Sequence, residues 1–161
     1  MTTIYLSFGS NLGNKLENIR QALKLLNETN GIKITKVSSI YETAPVGGVE
    51  QDYFLNGVCE LETELTPYEL LEAIQSIEYA LKRVRKVHWG PRTLDLDILL
   101  FEDTVMNEAR LTIPHPYMHE RSFVLIPMNE IAPGVTHPVL HKTINEMVFE
   151  DKDVIKISEE V

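Results

Sequence analysis

The sequence contains a single cysteine, Cys59, and a single tryptophan, Trp89. One cysteine cannot form an internal disulfide, and its place in an apolar alternating run predicts a small buried side chain rather than a nucleophile. The sequence has no apolar run long enough to cross a bilayer, and its first residues lack the basic and apolar segments of a signal peptide. These absences favour a cytoplasmic protein that does not bind membranes.

Positive charge is also scarce, because 15 Lys and Arg residues stand against 24 Asp and Glu residues, for a net charge of -9. Nucleic-acid binding depends on broad basic surfaces, so we expect no nucleic-acid partner. Five of the 15 cations nevertheless lie in residues 82–92, which leaves a net charge of -14 on the rest of the chain. A local basic patch on an acidic body favours a small anionic ligand. For Lys82 and Lys86 alone, a solvated helix end is the better interpretation.

Length and composition predict one domain over residues 1–161. A chain of this length can bury a sufficient core without disulfides or structural metals. Its 43% hydrophobic and 24% charged residues are ordinary for a soluble globular protein. We find no repeat, linker or low-complexity segment, and no feature that predicts an obligate protein partner.

Alternation and capping signals predict the order strand, helix, strand, strand, helix, strand. Strands are expected over 4–8, 32–43, 55–65 and from Asp95. The first helix should begin at Asn14 with Glu17 three residues on, and the second at Thr66-Pro67 with Glu69. A further short helical stretch is expected over 122–131. The order is that of a ferredoxin-like α+β fold, a split βαβ antiparallel sheet with helices packed on one face and the active site on the other.

The glycine-containing loop at residues 9–13 (GSNLG) follows a strand and precedes a helix, a position used by some phosphate-binding loops. It lacks the Walker lysine and the full dinucleotide fingerprint. A sharp structural turn is therefore the better interpretation.

The segment from Trp89 to Phe101, WGPRTLDLDILLF, is the most informative part of the sequence. Side chains alternate along a strand, so Asp95 and Asp97 share one face while Leu94, Leu96 and Ile98 share the other. Aspartate is a poor strand former, and two carboxylates on one face repel unless a positive group lies between them. Mg²⁺, held by one or two carboxylates and completed by substrate phosphates, meets that need. With the basic run directly upstream, the pattern predicts a polyphosphate site.

With these features together, the sequence resembles the 6-hydroxymethyl-7,8-dihydropterin pyrophosphokinase family of folate biosynthesis. The resemblance runs from GSNLG at 9–13 to EIAP at 130–133. It is strongest in RVRKVHWGPRTLDLDILLF, where the family signature GPR-x-x-D-L-D is intact. It implies a transferase that moves the terminal pyrophosphoryl unit of ATP to the pterin hydroxymethyl group and releases AMP.

The same resemblance implies roles for individual residues. Asp95 and Asp97 match the ligands of two Mg²⁺ ions, and with Arg83 and Arg92 they match the catalytic residues. The positions that match the ATP site are Gln75, Glu78, Arg85, Arg92, Ile98, Arg110, Thr112, His115 and Arg121. The positions that match the pterin site are Thr43, Val46, Phe54, Asn56, Trp89, Asp95 and Phe123.

The residues by themselves leave alternatives for several of these roles. Glu78 fits a solvated helix glutamate, His115 fits a structural histidine between prolines, and Phe123 fits simple core packing. A histidine metal cluster is also conceivable, formed by His119, His137 and His141. Nearby prolines disrupt its i,i+4 spacing as a helical pattern, so the sequence does not favour a zinc site.

Three positions depart from the family pattern. Phe54 stands where tyrosine is common, Ala44 where proline is common, and Pro116 where some members have tyrosine. The first two are expected to alter pterin affinity and loop stiffness, and the third removes a hydrogen bond to the nucleotide.

Two other functions compete with this interpretation. A nuclease or nucleotidyltransferase could use the same Asp pair, and it would act on nucleic acid or release pyrophosphate rather than AMP. A non-catalytic ferredoxin-like module that binds RNA would need exposed aromatics and a basic sheet face. The paired carboxylates of Asp95 and Asp97 are poorly suited to that second role.

Overall fold

The structure is a computed structural model that describes residues 1–44, 53–82 and 94–161. The first half contains β1 (Thr2–Ser10), α1 (Lys15–Glu28), β2 (Ile32–Val37), β3 (Tyr41–Thr43), β4 (Phe54–Thr63) and α2 (Pro67–Lys82). The second half contains β5 (Asp95–Phe101), β6 (Met106–Asn107), β7 (Thr112–Ile113), a 3-10 turn (Met118–Glu120), α3 (Ser122–Ile131), α4 (Ile144–Met147) and β8 (Val154–Lys156). No helix in the described residues is long and apolar enough to span a bilayer.

The larger sheet has the order β5-β1-β4-β3-β8, with β2 also paired to β4, and its pairings are antiparallel. The two helices that follow β1 and β4 pack on one face of this sheet, against the buried side chains of Ile4, Leu6 and Phe8. This arrangement is the predicted ferredoxin-like α+β fold. The predicted helix starts are also confirmed: Asn14 Oδ1 accepts from the Glu17 amide at 3.2 Å, and α2 begins at Pro67.

The strand predicted over residues 32–43 is divided into β2 and β3. The cause is Ser38, a buried residue whose hydroxyl accepts a 2.9 Å hydrogen bond from the amide of Val58 on β4. The serine side chain thus takes a place that a backbone carbonyl would hold in a regular ladder. The local pattern of β-branched residues continues through this point, so the sequence did not reveal the break.

The second face of the sheet carries a smaller core that the sequence did not predict. There α3 and α4 pack over Tyr5, Val58 and Leu99, with Met128 and Ile144 buried between them. These C-terminal elements cover one end of the face and leave the other end open. The open end is where the side chains of Asp95 and Asp97 emerge.

Candidate active site

Two rows of paired residues form the floor of the open end. Asp95 pairs with Gly9 on β1, and Gly9 pairs in turn with Asn56 on β4. Asp97 pairs with Ser7 in the next row of that face. The sheet register therefore brings an aspartate and an asparagine from distant parts of the chain to either side of a glycine.

Gly9 is required at this position because a side chain would meet Asn56. An added Cβ would lie 2.7 Å from Asn56 Oδ1, which is closer than real Cβ contacts allow. The amide nitrogen of Asn56 donates a 2.7 Å hydrogen bond to the hydroxyl of Thr43 on β3. The amide is held by this bond and keeps donor and acceptor capacity for a ligand.

Two cavities border the Asp pair, and the larger of these opens above this floor with a volume of about 510 Å³. It contains polar groups from three strands, the carboxylates of the Asp pair, and aromatic rings from β4 and α3. Its lining consists of Ser7, Phe8, Gly9, Thr43, Ala44, Phe54, Asn56, Gly57, Asp95, Asp97, Arg121, Phe123 and Val124.

A second cavity of about 280 Å³ lies between α2, β5 and the segment around β7. Its lining is largely apolar, with a few convergent polar side chains. It consists of Leu71, Ile74, Leu96, Asp97, Ile98, Ala109, Arg110, Leu111, Thr112, His115 and Pro116. Asp97 borders both cavities, so groups bound in the two would meet at its carboxylate.

Asp95 and Asp97 fit a hard divalent cation by the chemistry of their donors. Both supply carboxylate oxygens from the same strand face, with Asp95 half-buried and Asp97 exposed to the cavities. Mg²⁺ in phosphate-binding sites is usually held by one or two carboxylates together with substrate oxygens. The arrangement satisfies that requirement and leaves room for a substrate on both sides of Asp97.

A bulge in β5 positions His115 in the smaller cavity. Ile98 and Leu100 pair with the adjacent residues Leu6 and Tyr5, so Leu99 is the extra residue. Its carbonyl accepts a 2.9 Å hydrogen bond from the His115 amide. The bulge therefore attaches the segment that follows β7 to the strand that carries the Asp pair.

The imidazole of His115 is prepared as a hydrogen-bond donor. Burial lowers its pKa below the ordinary value, the charge of Asp97 opposes that shift, and the charge of Arg121 adds to it. The ring is therefore neutral at pH 7. Its Nδ1 accepts from the amide of Tyr117 at 3.1 Å, which leaves the proton on Nε2.

Glu78 contacts the strand of the Asp pair directly. Its carboxylate accepts a 3.0 Å hydrogen bond from the amide of Leu96, the residue between the two aspartates. Gln75 lies exposed on the same helix, one residue after the cavity-lining Ile74. The arrangement joins α2 to β5 beside the smaller cavity.

The two described arginines of the predicted ATP site lie at different cavities. Arg110 lines the smaller cavity, 3.8 Å from a carboxylate oxygen of Glu72 and with its guanidinium 5.0 Å from the Tyr68 ring centre. Arg121 instead lines the larger cavity, where its guanidinium lies 5.7 Å from the Phe123 ring centre. Arg121 is therefore placed beside the aromatic wall and the Asp pair.

The structure brings most of the predicted site residues together. Thr43, Phe54, Asn56, Asp95 and Phe123 line the larger cavity, and Ile98, Arg110, Thr112 and His115 line the smaller one. Five predicted site residues lie outside the described residues: Val46, Arg83, Arg85, Trp89 and Arg92.

Sequence reasoning missed several cavity residues. Ser7 and Gly9 were assigned to a strand and a turn without a role, although both face the larger cavity. Gly57 packs so closely on Phe8 that an added Cβ would lie 2.3 Å from the ring. An available signal was the alternation of β1, which places Ser7 and Gly9 on the face opposite the apolar Leu6 and Phe8.

The histidines near the C-terminus hold their local backbone. His137 is buried, and its Nδ1 accepts hydrogen bonds from the amides of Val139 and Leu140 at 3.2 and 3.1 Å. The rings of His119 and His137 meet edge to face at 6.3 Å. Within the described residues, no three His, Cys, Asp or Glu side chains are grouped to hold a metal ion.

The fold and the site define an α+β protein in which two cavities share the carboxylate of Asp97. A family model described as 7,8-dihydro-6-hydroxymethylpterin-pyrophosphokinase (HPPK) matches residues 5–133. The chain belongs to this family of transferases, which agrees with the resemblance seen in the sequence.

Individual relatives support the assignment. The chain is 51% identical to the 2-amino-4-hydroxy-6-hydroxymethyldihydropteridine pyrophosphokinase of Bacillus subtilis over 131 residues, which cover 81% of this chain and 78% of the relative. It is 47% identical over 142 residues to the folic acid synthesis protein fol1 of Schizosaccharomyces pombe, covering 88% of this chain but 19% of that protein.

A solved structure supports the fold alone. A Plasmodium falciparum HPPK-DHPS structure (A437G, with SDX-DHP) superposes with a TM-score of 0.74 at 19% sequence identity. The match covers 91% of this chain and 44% of the Plasmodium chain.

Proposed function

We propose that this protein transfers pyrophosphate from ATP to the hydroxymethyl group of 6-hydroxymethyl-7,8-dihydropterin in a Mg²⁺-dependent reaction. The products would be the pterin diphosphate and AMP, in a step of tetrahydrofolate biosynthesis. Family membership supports the reaction class. The observation that carries the proposal is the position of Asp97, which borders both cavities.

The larger cavity suits the pterin. A pterin is a flat ring with donors and acceptors along one edge, and such a ring needs aromatic faces and a matching polar edge. Phe54 and Phe123 supply rings, while Asn56, held by Thr43, supplies an amide edge. Val46 and Trp89, which lie outside the described residues, are proposed to complete this site.

The smaller cavity suits the nucleotide. Its apolar side chains, among them Ile98 and Leu71, can enclose a base. Arg110, Thr112 and the Nε2–H of neutral His115 can hydrogen-bond ribose or phosphate oxygens. Gln75 and Glu78 are proposed to act on the nucleotide side, from α2.

Asp95 and Asp97 would hold two Mg²⁺ ions, which when bound neutralise the phosphate charge and polarise the reacting oxygens. The hydroxyl oxygen of the pterin attacks the β-phosphorus of ATP, and the bond from that phosphorus to the α-phosphate oxygen breaks to release AMP. When both substrates are held beside Asp97, the attack of the hydroxyl on the phosphate becomes effectively intramolecular. This proximity supplies much of the rate acceleration. We assign Asp97 as the acceptor of the hydroxyl proton.

Arg83, Arg85 and Arg92 complete the proposal, although they lie outside the described residues. A guanidinium group can donate two parallel hydrogen bonds to the oxygens of one phosphate, and it remains charged throughout the reaction. We assign Arg83 and Arg92 to the transferred group, and Arg85 and Arg92 to ATP. The whole reaction would take place in one domain over residues 1–161, in the cytoplasm, without nucleic acid or membrane.

The test is an assay with ATP, Mg²⁺ and 6-hydroxymethyl-7,8-dihydropterin, with the products identified by mass. AMP and a pterin diphosphate are expected, and both should depend on Mg²⁺. Release of pyrophosphate, or of ADP with a pterin monophosphate, would replace the proposed reaction by another phosphoryl transfer. No turnover by the folded protein would refute it.

Asp97→Asn is the matched variant for this assay. It keeps the shape of the side chain while removing the charge that holds the cation, so turnover should fall by about 100-fold or more, as for loss of other electrostatic contacts to a reacting group. Because Asp97 is exposed, the melting temperature should change little or rise with the relief of repulsion from Asp95. Retained turnover at saturating Mg²⁺ would remove Asp97 from the mechanism.

A further inference from the structure

The last part of the chain contacts both walls of the larger cavity. The family model ends its match at residue 133, so residues 151–157, the C-terminal brace, lie beyond it. One wall of the cavity is β3, which carries Thr43, and the other is the start of α3, which carries Phe123. The brace makes hydrogen bonds to both elements.

At α3, the contact is between two side chains. The buried hydroxyl of Ser122 donates a 2.6 Å hydrogen bond to Oδ2 of Asp151. The other oxygen of Asp151 accepts from the amide of Asp153 at 2.9 Å, and its carbonyl accepts from Val154 at 3.2 Å. These hydrogen bonds within the brace hold the Asp151 carboxylate in the orientation in which it contacts α3.

The carboxylate of Asp151 contacts the first residue of α3. The N-cap residue of this helix is Arg121, whose side chain makes no capping hydrogen bond among the described residues, and the first turn of the helix contains no acidic residue. Arginine is not a capping residue, and helix N-termini are stabilised by negative charge. Aspartate is ionised at neutral pH in any case, and the Ser122 hydrogen bond lowers the pKa of Asp151 further, which shows that the contact favours the charged form.

Ser122 lies between two residues of the cavity. Arg121 and Phe123 flank it in sequence, and both line the larger cavity, so the direction of the first turn of α3 sets their placement. On the other wall, β8 pairs with β3, with Thr43 opposite Val154, and the Ile157 amide donates to the Ile40 carbonyl at 2.9 Å. The brace thereby adds an outer strand to the one that holds Asn56 through Thr43.

We propose that Asp151 is a positioning residue for the larger cavity, acting through Ser122 to fix the first turn of α3 and, with it, the Phe123 wall. The inference rests on the proposed function only for the identity of the ligand as the pterin. Asp151 acts without touching the ligand, and its effect is on affinity rather than on the chemical step. The described lining of the smaller cavity comes from α2, β5 and residues 109–116, which the brace does not support.

The test compares Asp151→Ala, Ser122→Ala and the double variant. Either single change removes the same hydrogen bond, so each should raise the Kd of the full-length protein for 6-hydroxymethyl-7,8-dihydropterin by about threefold to tenfold. The double variant should be no weaker than the worse single variant, because the two changes are coupled. The KM for the pterin should rise in parallel, while kcat and the Kd for a non-hydrolysable ATP analogue stay within about twofold.

Asp153→Asn is the matched control, because it removes an exposed carboxylate two residues away, while the contact of Asp153 to Asp151 is made by its backbone amide. It should leave both dissociation constants unchanged. Asp151→Asn gives a milder test. Its oxygen can still accept from the Asp153 amide, and its uncharged NH2 can replace the Ser122 contact only by donating to the hydroxyl oxygen. The variant should fall between wild type and Asp151→Ala.

Several results would overturn the inference. Unchanged pterin affinity in both single variants would show that the hydrogen bond does not position the wall. Equal loss of both ligands together with a lower melting temperature would show a general stabilising role instead. Failure of the wild-type protein itself to bind the pterin would count against the proposed function. If the wild type binds the pterin and the variants bind it with the same Kd, only the positioning role of Asp151 is refuted.

Discussion

Gly9 has only a hydrogen atom where another residue would have a side chain, and the amide of Asn56 lies directly against that position. The glycine lies in a row with Asp95 on one side and Asn56 on the other, and its missing side chain leaves the space that the Asn56 amide occupies. At the residue scale, the site depends as much on this space as on the charged groups around it.

Gly9→Ala should therefore weaken pterin binding. The new methyl group would lie 2.7 Å from Asn56 Oδ1, so the amide must move and its hydrogen bond to Thr43 is strained or lost. We expect the Kd for the pterin to rise about tenfold, corresponding to the loss of roughly one hydrogen bond, when measured by calorimetry. Gly134→Ala is the control, since nothing lies within 4 Å of its added methyl. Equal affinity in the two variants would contradict the role given to this space.

At the scale of elements, the Asp pair is held by its neighbours. Helix α2 reaches β5 through Glu78 and the Leu96 amide, and the Leu99 bulge attaches the His115 segment to the same strand. Two elements thus meet β5 on either side of Asp97. The orientation of the carboxylates is consequently a property of the assembled elements.

Glu78→Gln and Glu78→Ala separate two roles of this glutamate. The glutamine keeps an oxygen that can accept from the Leu96 amide, whereas alanine leaves the amide without that partner. If Glu78 acts by holding β5, the glutamine variant should retain most activity and the alanine variant should lose about tenfold or more in kcat, as expected when an unpaired amide costs about 1–3 kcal/mol. The measurement is steady-state kinetics of both variants. An equal rise in the KM for ATP in the two variants would show instead that the charge of Glu78 contacts the nucleotide.

The turn at residues 137–141 makes stability sensitive to acid. Burial lowers the pKa of His137, and the nearby His119 and His141 add to the shift, while its Nδ1 accepts two backbone hydrogen bonds that protonation would break. A folded pKa below the unfolded value of about 6.5 means that this stabilisation is present above that pH and is lost as the pH falls through the folded pKa.

The melting temperature should accordingly fall as the pH is lowered from about 7 to 5, and His137→Asn should flatten part of that dependence. The remainder is expected from His115, whose pKa is also lowered. His141→Asn should flatten the dependence less than His137→Asn, because it removes only a neighbouring charge that lowers the pKa of His137. The residue is exposed, and its φ of 57° is one that asparagine tolerates. Identical pH profiles for wild type and His137→Asn would show that His137 is not the responsible group.

At the scale of the whole molecule, two cavities meet at one carboxylate. The larger is built from β1, β3, β4, β5 and the start of α3, and the smaller from α2, β5 and the segment around β7. Because Asp97 is the one residue that the two described linings share, binding of the two substrates should be separable by mutation.

Asn56→Ala and His115→Ala test this separation. The first removes the polar edge of the larger cavity and should raise the Kd for the pterin by about tenfold, with little effect on an ATP analogue. The second removes the Nε2–H donor of the smaller cavity and should show the reverse bias. Calorimetry that finds both variants weakening both ligands equally would replace the two-cavity arrangement by a single shared site.

Local sequence was sufficient for features whose causes lie within a few residues of each other. The capping of α1 by Asn14, the start of α2 at Pro67 and the common face of Asp95 and Asp97 follow from helical and strand geometry alone. The family signature around the Asp pair added the expected ligands. Most described residues expected at the site do line one of the two cavities.

Only the tertiary structure decided which distant groups complete the site. Gly9 meets Asn56 through the register of β1 and β4, the Leu99 carbonyl finds the His115 amide through a bulge, and Ser122 finds Asp151 from 29 positions away. Hydrophobic periodicity specifies which face of an element is buried, but it carries no information about which residue of another element will stand opposite. Which residues stand opposite one another is determined by the packing of all the elements together, so these contacts are defined only in the tertiary structure.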